Sequence, residues 1–284
     1  MRSFKDYFFQ TADGLRLYAR DYPGPGANAP VLLCLHGLTR NSKDFESLAQ
    51  ALASDFRVVV PEQRGRGLSD YAEDVSCYSL LQYVEDTRGL IVDLGLERLS
   101  VVGTSMGGLM TFALNAMYPG LIERAVINDI GPEIAQEGLD RIKSYVGVAG
   151  PFQDWVEATA HLSSITAAIF PDWTAAQWSD FARQCYIERE GQIVIDYDPR
   201  IATPLAAQSS DTEAETLWSL FEAMASVPSL LVRGELTDLL SPECVARMLK
   251  MHPEMEVLSV PNVGHAPMLN EPGLTEAIRR FLVE

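Results

Sequence analysis

The sequence is poor in basic residues. Lysine and arginine together number 22, against 39 aspartate and glutamate residues, so the formal net charge is −17 at pH 7. Binding to nucleic acid or to an anionic membrane surface depends on lysine and arginine side chains that neutralise phosphates. We therefore expect neither nucleic acid nor a membrane as a partner.

Long apolar runs are missing from the start of the chain. The residues Met1–Asp6 lead into no apolar segment long enough for a signal peptide or a membrane span. The four cysteines, at positions 34, 77, 185 and 244, lack the paired spacing of a metal site. We expect a cytoplasmic protein with reduced thiols that needs neither a metal ion nor an organic cofactor.

Repeats and low-complexity segments are also absent. With 284 residues, of which 47% are apolar, the chain can bury one large core and carry an insertion. Composition alone thus favours a globular protein with one main domain.

Against this background, one serine has an informative setting. The segment Gly103–Gly108 has the pattern G-x-S-x-G around Ser105 and follows the apolar run Leu99–Val102. A helical stretch comes next, so the sequence predicts a strand, a sharp turn and a helix. A nucleophilic serine at such a turn holds a strained backbone, and side chains two residues before and after it would collide, which explains both glycines. The alternative is a glycine-rich turn in which Ser105 is only polar.

Four histidines are available as the base that a serine nucleophile needs. His265 lies in a loop after the last predicted strand, Met255–Val260, and glycine and proline residues on both sides fix that loop. From there a histidine could reach the strand ends, so we predict that His265 is the base; the alternative is a surface loop histidine. His161 and His252 lie in predicted helices, where a surface or packing role is expected.

The acid that would orient His265 has three candidates. Asp238 follows the buried strand Ser229–Gly234, and it gives the chain order serine, aspartate, histidine that is associated with α/β-hydrolases. Glu235 is closer to that strand, and Asp129 ends the strand that follows the helix after Ser105. We favour Asp238 and keep the other two as alternatives.

These motifs resemble those of the α/β-hydrolase fold superfamily, in the branch that carries a helical cap domain. The residues that carry the likeness are His36-Gly37, Pro61 with Arg64–Ser69, Gly103–Gly108, Gly234–Asp238 and Gly264-His265. The resemblance implies an oxyanion hole formed by the backbone N–H groups of Leu38 and Met106, and it implies a structural role for His36. One departure is Glu62, where relatives commonly have aspartate.

Buried strands alternate with helices up to about residue 130, which predicts a parallel sheet with ligands at its carboxyl ends. The predicted fold class is a doubly wound, mostly parallel eight-stranded sheet flanked by helices, with an inserted, mainly helical cap. We assign residues 1–133 and 213–284 to the core and residues 134–212 to the cap. The alternation stops in the cap, where three of the four tryptophans lie.

The predicted function is that of a serine esterase that cleaves a small or medium carboxylic ester or lactone through an acyl-enzyme. The expected partner is therefore a small-molecule ester or lactone, with Trp155 and Trp218 as candidate pocket residues. One alternative is a hydrolase that cleaves a carbon–carbon bond in a diketone-like substrate. Another is a non-catalytic ligand receptor on the same fold. The sequence predicts no oligomeric state.

Overall fold

The computed structural model of the protein describes residues 4–207 and 210–284. Its strands are β1 (Lys5–Gln10), β2 (Arg16–Tyr22), β3 (Val31–Leu35), β4 (Arg57–Glu62), β5 (Leu99–Thr104), β6 (Ile122–Asn128), β7 (Tyr186–Arg189), β8 (Gln192–Ile195), β9 (Ser229–Gly234) and β10 (Glu256–Val260). Eight of them form one sheet in the order β1-β2-β4-β3-β5-β6-β9-β10, and β7 and β8 form a separate hairpin.

Most of the large sheet is parallel. Strands β4, β3, β5, β6, β9 and β10 pair in parallel, whereas the β1–β2 hairpin joins one edge in antiparallel pairing. Because parallel strands need crossover connections, helices return the chain across the sheet. The helices of the described residues are α1 (Glu46–Leu52), α2 (Leu80–Asp93), α3 (Met106–Met117), α4 (Gln136–Tyr145), α5 (Trp155–Thr166), α6 (Ala175–Cys185), α7 (Ala202–Ala207), α8 (Ser210–Glu222), α9 (Pro242–Met251) and α10 (Leu274–Val283).

Successive residues of the central strands face opposite sides of the sheet, and each side is apolar. In β5, Val101 belongs to a core that includes α2, α3 and α9, whereas Val102 belongs to a second core that includes α1 and α10. Strands buried on both faces are expected to be continuous apolar runs, as Val31–Leu35 is. The predicted doubly wound fold class is confirmed.

The segment from α4 to α7, here called the cap, is mainly helical and carries the β7–β8 hairpin. It has a small core of its own in which the ring of Phe170 stacks on Trp173 at 3.7 Å and meets Phe181 edge-on. The boundaries at 134 and 212 stay a prediction. Over residues 4–207 and 210–284, no helix combines the length and the apolar character that a bilayer crossing requires.

Candidate active site

Ser105 occupies the sharp turn between β5 and α3. Its backbone has φ 53° and ψ −116°, a conformation that residues other than glycine rarely adopt. A Cβ on Gly103 would lie 2.4 Å from the Gly107 carbonyl oxygen, and a Cβ on Gly107 would lie 2.0 Å from the Leu35 carbonyl oxygen. The collision that the sequence predicts for these two positions is therefore confirmed, and it is the reason that both are glycine.

Ser105, His265 and Asp129 form a continuous hydrogen-bonded row. The hydroxyl of Ser105 lies 2.9 Å from Nε2 of His265, and Nδ1 of His265 lies 2.9 Å from Oδ2 of Asp129. The His265 side chain is 8% exposed and the Asp129 side chain is fully buried. A serine that can pass its proton to a histidine held by a buried carboxylate can act as a nucleophile.

Asp129 is positioned by the two strands beside it. It follows β6 with φ 58°, and its N–H donates to the Val232 carbonyl of the neighbouring strand β9. Its Oδ1 accepts a hydrogen bond from the N–H of Gly234 at 2.8 Å. Since Oδ1 is held by β9, Oδ2 is left to face His265.

The choice of Asp238 as the partner of His265 needs correction. Both of its carboxylate oxygens bind the guanidinium of Arg141 on α4, at 2.5 and 2.7 Å. Burial raises the pKa of Asp238, but the hydrogen bonds and charge of Arg141 outweigh it, so that pKa lies below its usual value. Asp238 is thus bound to the cap, while Asp129 takes the place at His265.

Glu235, the third candidate, does not contact His265 either. Its Oε2 accepts a hydrogen bond from the N–H of Asn262 at 3.1 Å, in the loop that precedes His265. The carboxylate therefore stabilises that loop at its base. Of the three candidate acids, Asp129 is the one that contacts His265, so the preference for Asp238 over Asp129 is wrong.

Sequence reasoning overlooked Asn128, the last residue of β6. Its amide Nδ2 donates to the carbonyl oxygen of Pro267, in the His265 loop, at 2.8 Å and to Thr104 Oγ1 at 3.1 Å. Its own carbonyl accepts from the N–H of Ser105 at 2.9 Å. One fully buried amide therefore ties the serine turn to the histidine loop. The feature of the sequence that could have identified Asn128 is its position directly before Asp129.

The oxyanion hole that the resemblance implies, with the backbone N–H groups of Leu38 and Met106 as donors, stays a prediction; Leu38 and Ser105 line the same cavity. Met106 is the first residue of α3, and the first N–H groups of a helix have no partner within it. In the described part of the chain, no acceptor is paired with the N–H of Leu38. The Gly37 carbonyl of the same peptide unit accepts from Nδ1 of His36 at 2.7 Å and from the N–H of Arg40 at 3.1 Å.

His36 has the surroundings of a structural residue. It is fully buried, and its Nε2 accepts from the N–H of Gln63 at 3.0 Å. Burial lowers the pKa of His36 to about 3, so the ring stays neutral at ordinary pH. His252 is likewise buried and bonds to the Val227 carbonyl, while His161 packs against Phe152 in the cap.

A cavity of about 140 Å³ adjoins Ser105 and His265. It lies under the cap and is mostly apolar. Its apolar cap residues are Ile142, Leu162, Ile165, Ile169, Phe170 and Phe181. Thr39, Tyr145 and Tyr186, which are polar but uncharged, also line it. Such a cavity can enclose a small, largely apolar group next to the serine.

Trp155 and Trp218 do not line this cavity, so the prediction that they do is wrong. Trp155 packs under the guanidinium of Arg183 at 4.5 Å, within the cap. Trp218 is 5% exposed and lies between Arg247 and Phe221, in the core beneath α3. Each ring stabilises helix packing away from Ser105.

The charged groups at the cavity neutralise each other. Arg40 binds Asp44 through Nε and Nη2, at 2.8 and 2.5 Å, and also contacts the Cys185 sulfur. Burial lowers the pKa of Arg40, but the Asp44 carboxylate more than offsets that effect. Among the described residues, no group of three histidine, cysteine, aspartate or glutamate side chains could hold a metal ion.

Comparison with known proteins gives one family. The sequence model of the alpha/beta hydrolase fold matches residues 30–187. A 3-hydroxybutyrate-oligomer hydrolase from Cupriavidus necator is 36% identical over 266 residues, which are 91% of this chain and 90% of that protein. A 2-(acetamidomethylene)succinate hydrolase from Mesorhizobium japonicum is 30% identical over 90% of this chain and 88% of its own length.

A solved structure agrees. The crystal structure of an alpha/beta hydrolase from Novosphingobium aromaticivorans superimposes with a TM-score of 0.94 and 43% identity, covering 100% of this chain and 99% of that one. The family match spans more than half of the chain, and the relatives named hydrolases match nearly all of it. The chain therefore belongs to the α/β-hydrolase fold family and is one of its enzymes.

Proposed function

We propose that the enzyme is a serine hydrolase that cleaves a carboxylic ester or lactone with a short acyl group. The observation that carries this proposal is the row Ser105–His265–Asp129, with two separations of 2.9 Å, at the edge of an apolar cavity of about 140 Å³. The 36% identity to a 3-hydroxybutyrate-oligomer hydrolase supports an ester substrate.

The reaction follows from the hydrogen bonds. Nδ1–H of His265 donates to Asp129, which leaves the Nε2 lone pair to accept the proton of Ser105. The serine oxygen attacks the acyl carbon, and His265 then gives the proton to the departing alkoxide. A water molecule, deprotonated by the same Nε2, attacks the acyl-enzyme; the bond from the acyl carbon to the Ser105 oxygen breaks, the acid is released, and Nε2 returns the proton to Ser105. Asp129 keeps its charge throughout and stabilises the imidazolium that forms twice.

The tetrahedral intermediate carries a negative charge on its oxygen. We assign the N–H groups of Leu38 and Met106 as its donors, as the resemblance implies. The Met106 N–H stands at the positive end of the α3 dipole. Each such donor is worth about 3–4 kcal/mol in the transition state, because it is aimed at a charge that the ester does not yet have.

The cavity volume limits the acyl group. An apolar cavity of about 150 Å³ holds one benzene molecule, which has as many non-hydrogen atoms as a 3-hydroxybutyryl group. A single four-carbon acyl unit therefore matches the 140 Å³ beside Ser105. A second unit has to extend beyond the cavity.

The charges favour a neutral acyl unit over a dicarboxylate. Arg40 is the one cation among the described side chains that line the cavity, and Asp44 neutralises it. One relative is named for a succinate derivative, and a dicarboxylate of that kind would need more positive charge than this cavity offers. The ester is therefore the better match.

The experiment is a comparison of the wild type with Ser105→Ala. The purified enzyme is treated with a p-nitrophenyl alkylphosphonate, and the labelled residue is found by peptide mass spectrometry. Turnover is measured with p-nitrophenyl esters, lactones, 3-hydroxybutyrate dimer and a diketone. We expect a label on Ser105, turnover of short esters, and loss of both in Ser105→Ala.

Other outcomes would support the alternatives. Cleavage of the diketone with no ester turnover would support a carbon–carbon hydrolase. Reversible binding of these compounds without any turnover or label would support a receptor. A folded Ser105→Ala protein with wild-type ester turnover would contradict the proposed mechanism altogether.

A further inference from the structure

Arg66 lies beneath both residues that we assign to the oxyanion hole. It follows β4 in the loop that contains Arg64 and is fully buried. Its Nε donates to the Leu38 carbonyl at 2.9 Å, and its Nη2 lies 3.9 Å from the sulfur of Met106. Its Nη1 donates to the Arg64 carbonyl at 2.7 Å. One side chain therefore contacts Leu38 and Met106 together.

The charge of Arg66 is not neutralised by an acid. Across residues 4–207 and 210–284, no carboxylate forms an ion pair with it, and its guanidinium carbon lies 4.6 Å from the ring of Tyr83 and 5.8 Å from the ring of Tyr78. Arg64, in the same loop, is paired with both Asp86 and Asp13. Arginine does not lose its proton in proteins, so a full positive charge stays buried here.

A buried cation without a counter-ion lowers stability, because burial removes its hydration. Such an arrangement is retained where the charge has a use. An oxyanion hole is a place of that kind, since negative charge develops there only during the reaction. The other buried arginine of this loop, Arg64, has the ion pairs of a structural residue.

The hydrogen bonds around Leu38 indicate how Arg66 acts. The carbonyl before the Leu38 N–H is held by His36 and by the N–H of Arg40. The carbonyl after it is held by Arg66. In a trans peptide unit, N–H and C=O point in opposite directions. With both flanking carbonyls fixed, the Leu38 N–H has one available direction.

We propose that Arg66 is a positioning residue for the oxyanion site and acts through the Leu38 carbonyl. Its guanidinium holds the peptide after Leu38, and its charge favours a negative oxygen at the neighbouring N–H groups. This inference rests on the proposed ester hydrolysis. It makes Arg66 a determinant of transition-state binding, with little effect on binding of the uncharged ester.

The test uses three variants. Arg66→Met removes the charge and keeps an apolar side chain of similar length. Arg66→Lys keeps the charge but lacks the planar guanidinium group. Arg64→Lys is the matched control, since Arg64 is equally buried in the same loop but contacts neither Leu38 nor Met106. For each, kcat and KM are measured with p-nitrophenyl butyrate. Binding is measured for butylboronic acid, which forms a tetrahedral anion on the serine, and for neutral butyramide.

For Arg66→Met we expect kcat to fall about 10- to 100-fold, somewhat less than for the loss of an oxyanion donor itself. KM and butyramide affinity should change less than about threefold, while boronate affinity falls by the same factor as kcat/KM. Arg66→Lys should recover part of the loss. Arg64→Lys should lower the melting temperature without a selective loss of boronate affinity.

Two results would overturn the proposal. One is Arg66→Met, or Arg66→Lys if the first variant does not fold, with wild-type boronate affinity. The other is an equal loss of boronate and butyramide affinity, which marks a purely structural role. If the wild type neither hydrolyses esters nor binds the boronate, the proposed function fails, and this inference fails with it.

Discussion

The carboxylate of Asp129 lies 2.9 Å from Nδ1 of His265, although 136 residues separate them in the chain. Asp238, which follows the adjacent strand β9, is bound instead to Arg141 on the first helix of the cap. Strands β6 and β9 are neighbours, so both acids follow the same edge of the sheet. The fold therefore places an acid after each of these two strands, and the acid that follows β9 is bound by the cap.

Substitution of the two acids should separate their roles. Asp129→Asn should lower kcat about 10³- to 10⁴-fold, because an amide neither holds the required tautomer of His265 nor stabilises its charged form. Asp238→Asn should change kcat less than about tenfold, because it weakens only the ion pair with Arg141. Steady-state kinetics on p-nitrophenyl butyrate is the measurement. A crippled Asp238→Asn beside a mild Asp129→Asn would reverse the assignment.

The strain at Ser105 leads to a prediction about stability. Its φ of 53° is tolerated by glycine and costs other residues about 1–3 kcal/mol. Glycine also makes the unfolded chain more flexible, which lowers the free energy of unfolding by about 0.4–1 kcal/mol relative to alanine. Ser105→Gly should therefore be about 1 kcal/mol more stable than Ser105→Ala, and both should be inactive. Urea unfolding measures the difference; equal stabilities would show that the turn stores no strain.

The serine turn was predictable because local sterics dictate it. Gly103 and Gly107 approach other backbone atoms so closely that no side chain fits, and such a constraint is visible in the sequence. The acid was not predictable, because chain order cannot tell which of two adjacent strand ends faces the histidine. That choice depends on Gly234 binding one oxygen of Asp129 and on Arg141 binding Asp238.

The pocket residues escaped prediction for a related reason. Aromatic residues are frequent throughout the cap, but the orientation of each helix decides which of them faces Ser105. Phe170 and Phe181 line the cavity, whereas Trp155 is covered by Arg183 on α6. Composition indicated an aromatic cap without indicating its inner face.

The buried ring of His36 should make the fold sensitive to acid. Burial lowers the pKa of His36 to about 3 from 6.5, so between these values the unfolded chain binds a proton that the folded one does not. Stability is therefore lost as the pH falls from about 6.5 towards 3, by about 1.4 kcal/mol per pH unit from this group. His36→Gln lacks the titrating group, so its unfolding free energy should decline less steeply as the pH falls.

The measurement is urea unfolding of both proteins at several pH values from 7.5 down to 4. The quantity to compare is the slope of the unfolding free energy against pH, since the substitution can also change stability at every pH. Parallel slopes for the two proteins would show that His36 does not contribute to acid denaturation.

The last prediction concerns the size of the cavity. Phe170→Ala and Phe181→Ala remove rings that line the 140 Å³ beside Ser105, so longer acyl groups should fit. Trp155→Ala and Trp218→Ala are matched controls, because they remove aromatic rings of similar or larger size that pack elsewhere. The measurement is kcat/KM for p-nitrophenyl esters from acetate to decanoate.

The wild type should prefer acyl groups of about four carbons, because an apolar cavity of about this volume holds one benzene-sized group. Removal of either phenylalanine ring should move the optimum towards hexanoate or octanoate, because the added methylene groups can be buried in the new space. Each buried methylene contributes about 0.8 kcal/mol, or about fourfold in kcat/KM. The two tryptophan variants should lower the melting temperature and keep the wild-type ranking. A shifted ranking in Trp155→Ala or Trp218→Ala, with none in the phenylalanine variants, would mean that the acyl group binds outside this cavity.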